Sequence, residues 1–293
     1  MTNADTSMEV SVVIPYKDAA AHFAEQLEAL AAQRFEGAWE VILVDNGSRD
    51  ASRMIAETFA DRLNVELVDG GDQPGAAAAT NLGVRRSRGE KLIFVDADDV
   101  VAAGYLAAMA AALDEHDFIT SAFDHVALNA EWLREAHGPV WRDPEDPLFV
   151  QSGVLPFAGG SIGIKRTVFD RVGGFPKGFP RMYDIAFSWE VQFSGTSLHY
   201  APEALYHVRY RETLGGFFRQ GVAGGSTAPL LYRHYRHAGM QRRTLGEVVR
   251  SWARLARRAA KARSRADLAP LAVDLGRELG RLRGSVRYRV LFP

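Results

Sequence analysis

Short apolar runs alternate with segments of helical spacing through the first 125 residues. The runs Glu9–Pro15 (EVSVVIP), Glu40–Asp45 (EVILVD), Val65–Val68 and Lys91–Val95 (KLIFV) are rich in β-branched residues, and turn-forming or acidic residues follow each. That pattern predicts four strands, with Glu9–Pro15 and Lys91–Val95 buried. Between them, Ala19–Gln33 carries Phe23, Leu27 and Leu30 on one helical face, with Asp18 placed to cap it. Asp50 is placed to cap a helix through Phe59 that carries Met54 and Ile55, and Gly75–Arg86 predicts a third helix. Gly104–Leu113 reads as a fourth helix and Phe118–Ala122 as a fifth strand. Strand and helix in turn imply an α/β fold: a Rossmann-like, mostly parallel sheet with helices on both faces. Such sheets bind ligands beyond the carboxyl ends of their strands. The polar residues collect there: Pro15-Tyr16-Lys17-Asp18, Asp45-Asn46, Asp69, and Asp96 with Asp98.

The fourth strand end is the richest. KLIFV runs directly into Asp96-Ala-Asp98-Asp99, three carboxylates in four positions. Continued alternation along an extended chain would put Asp96 and Asp98 on one side and Asp99 on the other. Carboxylates that close repel unless a proton or cation lies between them, and an oxygen-loving Mg²⁺ or Mn²⁺ suits such a donor set. The stretch also reads as a solvated acidic turn. An EF-hand loop is excluded, because counting from Asp96 the sixth position is Val101 and the twelfth Ala107. No G-x-x-x-x-G-K-[ST] loop occurs and no G-x-G-x-x-G follows the first strand, so a glycine cradle for phosphates is not expected.

From about Asp124 to Gln151 the regular pattern breaks, and Trp132, Trp141 and the RDPEDP run read as a long connection or lid. Then come Phe157-Ala-Gly159-Gly160-Ser161-Ile-Gly-Ile-Lys-Arg166 and Gly173-Gly174-Phe175, whose glycines imply either tight turns or close approach of backbone to a ligand. Asp184 precedes a run of helical spacing, Ile185–Phe193.

Composition adds three constraints. Without cysteine there are no disulfides, thiolate metal sites or cysteine nucleophiles. The polar start, MTNADTSMEV, has no apolar signal core, and the longest apolar run, Val100–Leu113, is too short to span a bilayer. A cytoplasmic location is expected on these grounds. The net charge of −1 hides an asymmetry, with an acidic first half and a basic second half. Residues 230–293 alone hold 16 Lys+Arg against 4 Asp+Glu. There Thr244–Arg263 spaces Leu245, Val248, Val249, Trp252, Leu255, Ala256 and Ala259 for one helical face and sets arginines on the rest, and a second helix follows from about Asp267 to Leu282. This basic helical appendage suits docking on the acidic half, self-association, or peripheral contact with an anionic membrane on its inner face. It has no recognised nucleic-acid-binding fold.

In order and spacing, SVVIPYKD, EVILVDNGSRD, GAAAATNLGV, KLIFVDADDV, FAGGSIGIKR, GGF and HVRYR resemble the family 2 glycosyltransferases of GT-A fold over roughly residues 9–225. The resemblance implies a catalytic domain over 1–228, with a nucleotide-sugar half to about 125 and an acceptor half over about 150–228, followed by the helical region 229–293. It implies an inverting enzyme that moves a sugar from a nucleoside-diphosphate sugar to a hydroxyl of a glycan, glycolipid or small molecule. Pro15, Tyr16, Asp45, Asn81 and Asp96 would then meet the donor. Asp98 would hold the metal, with His207 as a further ligand. Gly159, Gly160 and Ser161 would lie on the acceptor side, and Asp184 would be the general base. Two departures stand out: the family's Glu-Asp pair is Tyr183-Asp184 here, and Thr80 precedes Asn81 where the family often has Arg. Lys17, Arg85 or Arg211 could supply the missing cation. A nucleotide-sugar-binding protein without turnover and a metal-dependent phosphohydrolase are the alternatives, although the latter wants its aspartates on the first strand.

Overall fold

The computed structural model describes residues 8–72, 75–137, 149–150 and 154–292. Trp141 and the RDPEDP run lie outside the described residues. Strands β1 (Val10–Tyr16), β2 (Trp39–Asp45), β3 (Val65–Asp69) and β4 (Lys91–Val95) are the four predicted, and they pair in parallel in the order β3-β2-β1-β4. Tyr16 lies opposite Asp45 and Asp45 opposite Asp69, so their carboxyl ends share one rim.

Beyond β4 the sheet becomes mixed. Strands β5 (Val100–Val101), β6 (Phe118–Asp124), β9 (Ser161–Lys165) and β10 (His199–His207) complete the order β3-β2-β1-β4-β9-β6-β10-β5. β9 is antiparallel to both β4 and β6, and β5 is antiparallel to β10. The FAGGSIGIKR segment therefore enters the sheet from its opposite end and brings its glycines to the acidic rim. A two-stranded hairpin, β7 (Phe149–Val150) with β8 (Pro156–Phe157), stands apart.

Strand alternation explains how both faces are covered. Val12, Ile14, Leu43, Ile93 and Val95 pack with α1 (Phe23–Ala31) and α4 (Tyr105–Glu115). Val13, Ile42, Val44, Leu92 and Phe94 pack with α3 (Ala76–Arg86), α6 (Arg166–Val172) and α7 (Tyr183–Phe193) on the other face. Helix α2 (Ser52–Glu57) is shorter than its spacing suggests.

The expected cap at Asp18 does not form. Helix α1 begins later, at Phe23, while Asp18 takes a left-handed φ of 49° and accepts from Arg49 N at 2.8 Å, which ties two rim loops together. Asp50 accepts from Ser52 N at 3.0 Å and from Ala20 N at 2.9 Å, so it serves the start of α2 and the same loop junction. The break after Asp124 holds α5 (Glu131–His137), and its Trp132 carries the Arg265 guanidinium 4.1 Å above its ring. That part of the connection is helix packed on helix rather than lid.

The C-terminal region is three helices: α8 (Leu214–Tyr235), α9 (Leu245–Lys261) and α10 (Arg265–Tyr288). Positions 228 and 229 fall in the middle of α8, which crosses from the sheet into the helical layer without a break. Capping boxes at Thr244/Glu247 and Ser264/Asp267 start α9 and α10. Helices α8 and α10 approach closely because glycines line their contact. A Cβ on Gly225 would lie 2.2 Å from Arg277 O, on Gly276 2.3 Å from Phe218 O, and on Gly280 2.5 Å from Val222 O. The nearest atoms along that seam are backbone, joined by the Pro229 ring beside Gly284, so a side chain added there must push the helices apart.

Gly225→Ala and Gly280→Ala should each destabilise the protein by about 1–3 kcal/mol in denaturant unfolding. Gly246→Ala is the control. Its Cβ would meet side-chain atoms at ordinary contact distance, Arg250 Nη1 at 3.4 Å and Thr244 Oγ1 at 3.9 Å, and it should be neutral or stabilise by up to about 1 kcal/mol.

Candidate active site

The end of β4 forms the site. The chain leaves the strand at Val95, turns through Asp96–Asp99 and re-enters the sheet as β5. Strand alternation stops at the turn, so Asp99 joins Asp96 and Asp98 on one side instead of facing away. One carboxylate oxygen from each lies within 4.8 Å of the other two.

Four residues hold the turn. Gln26, buried on α1, donates to Asp96 O at 3.2 Å and accepts from Val101 N at 3.0 Å, gripping both ends. Tyr206 Oη accepts from Asp96 N at 2.9 Å. Arg209 donates its backbone N–H to Asp99 Oδ1 at 2.7 Å and its Nε–H to Asp98 O at 3.0 Å. Arg211 Nη1 donates to Asp98 Oδ2 at 3.1 Å. Of these, the sequence reading raised only Arg211. The others act across 70 or more residues of chain; Arg209 lies within HVRYR, but nothing local shows which backbone it grips.

The cluster is electrostatically strained. Burial, then the Asp99, Asp98 and Asp184 charges, push the Asp96 carboxyl well above the usual carboxylate range. Burial also raises Asp99, with the Asp98 charge adding to it, although the Arg209 N–H opposes the shift. Both effects penalise the ionised form, as expected for carboxylates gathered without a cation.

Two clefts meet at Asp96. The larger, of about 420 Å³, is lined by Pro15, Tyr16, Lys17, His22, Asp98 and Arg211 among others. The smaller, of about 50 Å³, is lined by Pro15, Thr80, Phe175, Gly160, Tyr183 and Asp184 among others. Gly159 and Gly160 run between the two carboxylates: a Cβ on Gly159 would stand 3.2 Å from Asp184 Oδ2, and one on Gly160 3.7 Å from Asp96 Oδ2. Gly160 has φ of 72°, which a side chain rarely tolerates. Asp184 sits in the first turn of α7, and burial raises its carboxyl pKa, opposed by the local backbone N–H groups. The Tyr183 ring packs edge-on against Phe175 at 5.8 Å. Burial, reinforced by Asp96, keeps its phenol protonated. A neutral hydroxyl thus stands where a further carboxylate would have added to the repulsion.

The other predicted residues fall as follows. Tyr16 is buried on Phe23 with ring centroids 4.7 Å apart, and burial followed by the Asp45 charge pushes its phenol up to about 12. Asp45 is buried at the neighbouring strand end, where its Oδ1 accepts from Ser48 N at 2.8 Å; it does not line either cleft. Three positions are corrected. Asn81 does not face the donor cleft: its Nδ2 donates to Phe175 O and its Oδ1 accepts from Phe175 N, both at 2.8 Å, so it clamps the Gly-Gly-Phe turn to α3. Ser161 is fully buried, paired with Tyr105 Oη at 2.5 Å, and does not reach an acceptor. His207 lies outside the carboxylate cluster, with Nδ1 2.6 Å from Asp124 Oδ2.

Comparison with known proteins agrees with this fold. A family model described as "Glycosyl transferase family 2" matches residues 11–173, more than half of the chain. Glycosyltransferase AglE of Haloferax volcanii is 37 % identical over 91 residues, 30 % of this chain and 30 % of its own length. The chain thus spans less than a third of that relative. Among solved structures, a mannosyltransferase of Pyrobaculum calidifontis in complex with GDP-Man and Mn²⁺ superposes with a TM-score of 0.64 at 18 % identity, covering 95 % of this chain and 90 % of its own. TarS 1-349 of S. aureus in complex with UDP-GlcNAc gives 0.56 at 19 %, covering 98 % and 93 %. These likenesses establish the shared fold.

Asn81→Ala leaves the Phe175 N–H and carbonyl without partners. It should cost about 2–4 kcal/mol in thermal or denaturant unfolding, whereas a residue held only for the donor would lose donor affinity at unchanged stability.

Proposed function

The chain belongs to glycosyl transferase family 2, and from that premise we propose that it transfers a sugar, with inversion, from a nucleoside-diphosphate sugar to a hydroxyl acceptor. The acceptor classes we assign are cell-surface polysaccharide, glycolipid or secondary metabolite. The observation that carries the reading is the placement of Asp184 across the Gly159-Gly160 strand entry from the Asp96/Asp98/Asp99 cluster. A base and a cation site thus flank one cleft. The similar solved structures were determined with UDP-GlcNAc, and with GDP-Man and Mn²⁺, which supports a nucleotide-sugar donor and a divalent ion here.

The three carboxylates fit Mn²⁺ or Mg²⁺: all donors are oxygen, and the crowding that raises Asp96 and Asp99 is what a bound cation relieves. Such an ion stabilises negative charge as a nucleoside diphosphate departs. In this reading the chain's own residues do the remainder. Pro15 and Tyr16 wall the donor cleft, with Asp45 behind them at the β2 end. Arg211 balances Asp98 in the resting protein and offers its guanidinium to a diphosphate. Asp184, made more basic by burial, takes the proton of the acceptor hydroxyl. Gly159 leaves its carboxylate room to do so. Tyr183 and Phe175 close the apolar side against water.

Asp98→Ala should abolish Mn²⁺-dependent donor binding in a thermal-shift titration; unchanged affinity removes Asp98 from the site. Asp184→Asn should keep donor affinity and lower transfer by about 10²–10⁴-fold, measured as nucleoside diphosphate released with a matched acceptor. A rate near wild type excludes Asp184 as the base. Release of inorganic phosphate from simple esters would support hydrolysis instead, and donor binding without turnover across an acceptor panel would support the binding-protein alternative.

A further inference from the structure

Helix α9 is docked the wrong way round for a surface helix of a globular protein. Its contacts to α10 are polar: Arg258 Nη1 to Asp274 Oδ2 at 2.8 Å, and Ser251 to Arg243, which in turn binds Glu278 at 2.8 Å. Its apolar residues are left outside, with Leu245 78 % and Val249 67 % exposed and Trp252 38 %. No residue of α9 is buried. An apolar stripe of this kind normally faces a core.

The partner helix repeats the arrangement. Leu268, Leu275, Leu279, Leu282 and Val286 recur at helical spacing and are all exposed, Val286 at 81 %. The glycines that meet α8 lie on the other side of α10. Arg258 meets Asp274 and Arg243 meets Glu278, so α9 and α10 form an antiparallel hairpin. At about 100° per residue, each stripe lies roughly a third of a turn from the shared polar contact, in the same rotational sense. In antiparallel helices that places both stripes on one side, facing away from α8 and the catalytic sheet. The result is a two-helix apolar face on the outside of the protein.

Charge selects its occupant. The region as a whole is strongly basic, with 16 Lys+Arg against 4 Asp+Glu over residues 230–293; Arg283 lies beside the stripe on α10, and Arg250, Arg254, Arg257 and Lys261 lie on the side of α9 away from its stripe. Pairing this face with a second copy would bring two such positively charged regions together, whereas an anionic lipid surface attracts them. Among the described residues no helix is long and apolar enough to cross a membrane. We propose that the α9–α10 hairpin is a membrane-docking surface that lies on an anionic phospholipid bilayer, with Leu245, Val249, Trp252, Leu279, Leu282 and Val286 entering the acyl boundary. The proposal does not depend on the transferase reading, because it concerns a surface that shares no residue with the acidic clefts.

The test is co-sedimentation of the full chain at about 0.15 M salt with vesicles of phosphatidylcholine alone or with added phosphatidylglycerol. The wild type should partition at least about tenfold more strongly to the anionic vesicles, and the partition should weaken as salt is raised. Val249→Glu with Leu279→Glu, both at exposed positions, should remove that binding while leaving the unfolding midpoint and donor-induced thermal shift unchanged. Absence of vesicle binding overturns the proposal, as does equal binding by the double variant. So does a wild-type dimer in sedimentation equilibrium that the variant converts to monomer with no lipid effect, because the face would then cover a second copy.

Discussion

Everything at the rim depends on keeping three carboxylates in one tight turn against their mutual repulsion. The turn itself offers little. It is held because β4 and β5 fix its two ends in the sheet, and because Gln26 bridges those ends from a buried position on α1. Arg209 and Arg211 then balance part of the charge from the segment after β10. The sheet's topology makes this arrangement available. β5 can pair with β10 only because β10 runs beside β6, which brings the last strand's carboxyl end to the same edge as the acidic turn. The site is thus a product of register, and its spacing follows from strands more than from loop conformation.

How much of this could be read in advance follows from how local each signal is. The strands, the helices between them and the acidic turn are encoded by neighbours a few positions apart, and they stand where periodicity puts them. Asp99 was misplaced because alternation was continued one step past the end of the strand. Gln26 and Tyr206 look like ordinary core residues until the fold brings distant segments together, and Arg209, although inside HVRYR, gives no sign in sequence that it holds the Asp98–Asp99 turn. Asn81 and Ser161 teach the converse lesson. Each sits inside a recognisable motif, and each spends its polar atoms inside the protein, on the Phe175 backbone and the Tyr105 hydroxyl. A polar residue in a motif can serve the shape of a site without facing it.

The two glycine systems make a related contrast. At Gly159-Gly160 the missing side chains open space for carboxylates, one of them Asp184. Along Gly221, Gly225, Gly276, Gly280 and Gly284 the missing side chains remove space, so that α8 and α10 meet backbone to backbone. The same residue type serves reactivity in one place and rigidity in the other. In sequence both read simply as turn or helix-weakening signals, and only the partner atoms distinguish them.

The seam between α8 and α10 also has a mechanical meaning. With their backbones in direct approach along the glycines, the two helices behave as a single beam, and α8 continues that beam to within a few residues of Arg209 and Arg211. The orientation of the acidic clefts relative to the outer hairpin is therefore set at folding. Wherever the hairpin comes to rest, the opening of the clefts stands at one height and one tilt above it.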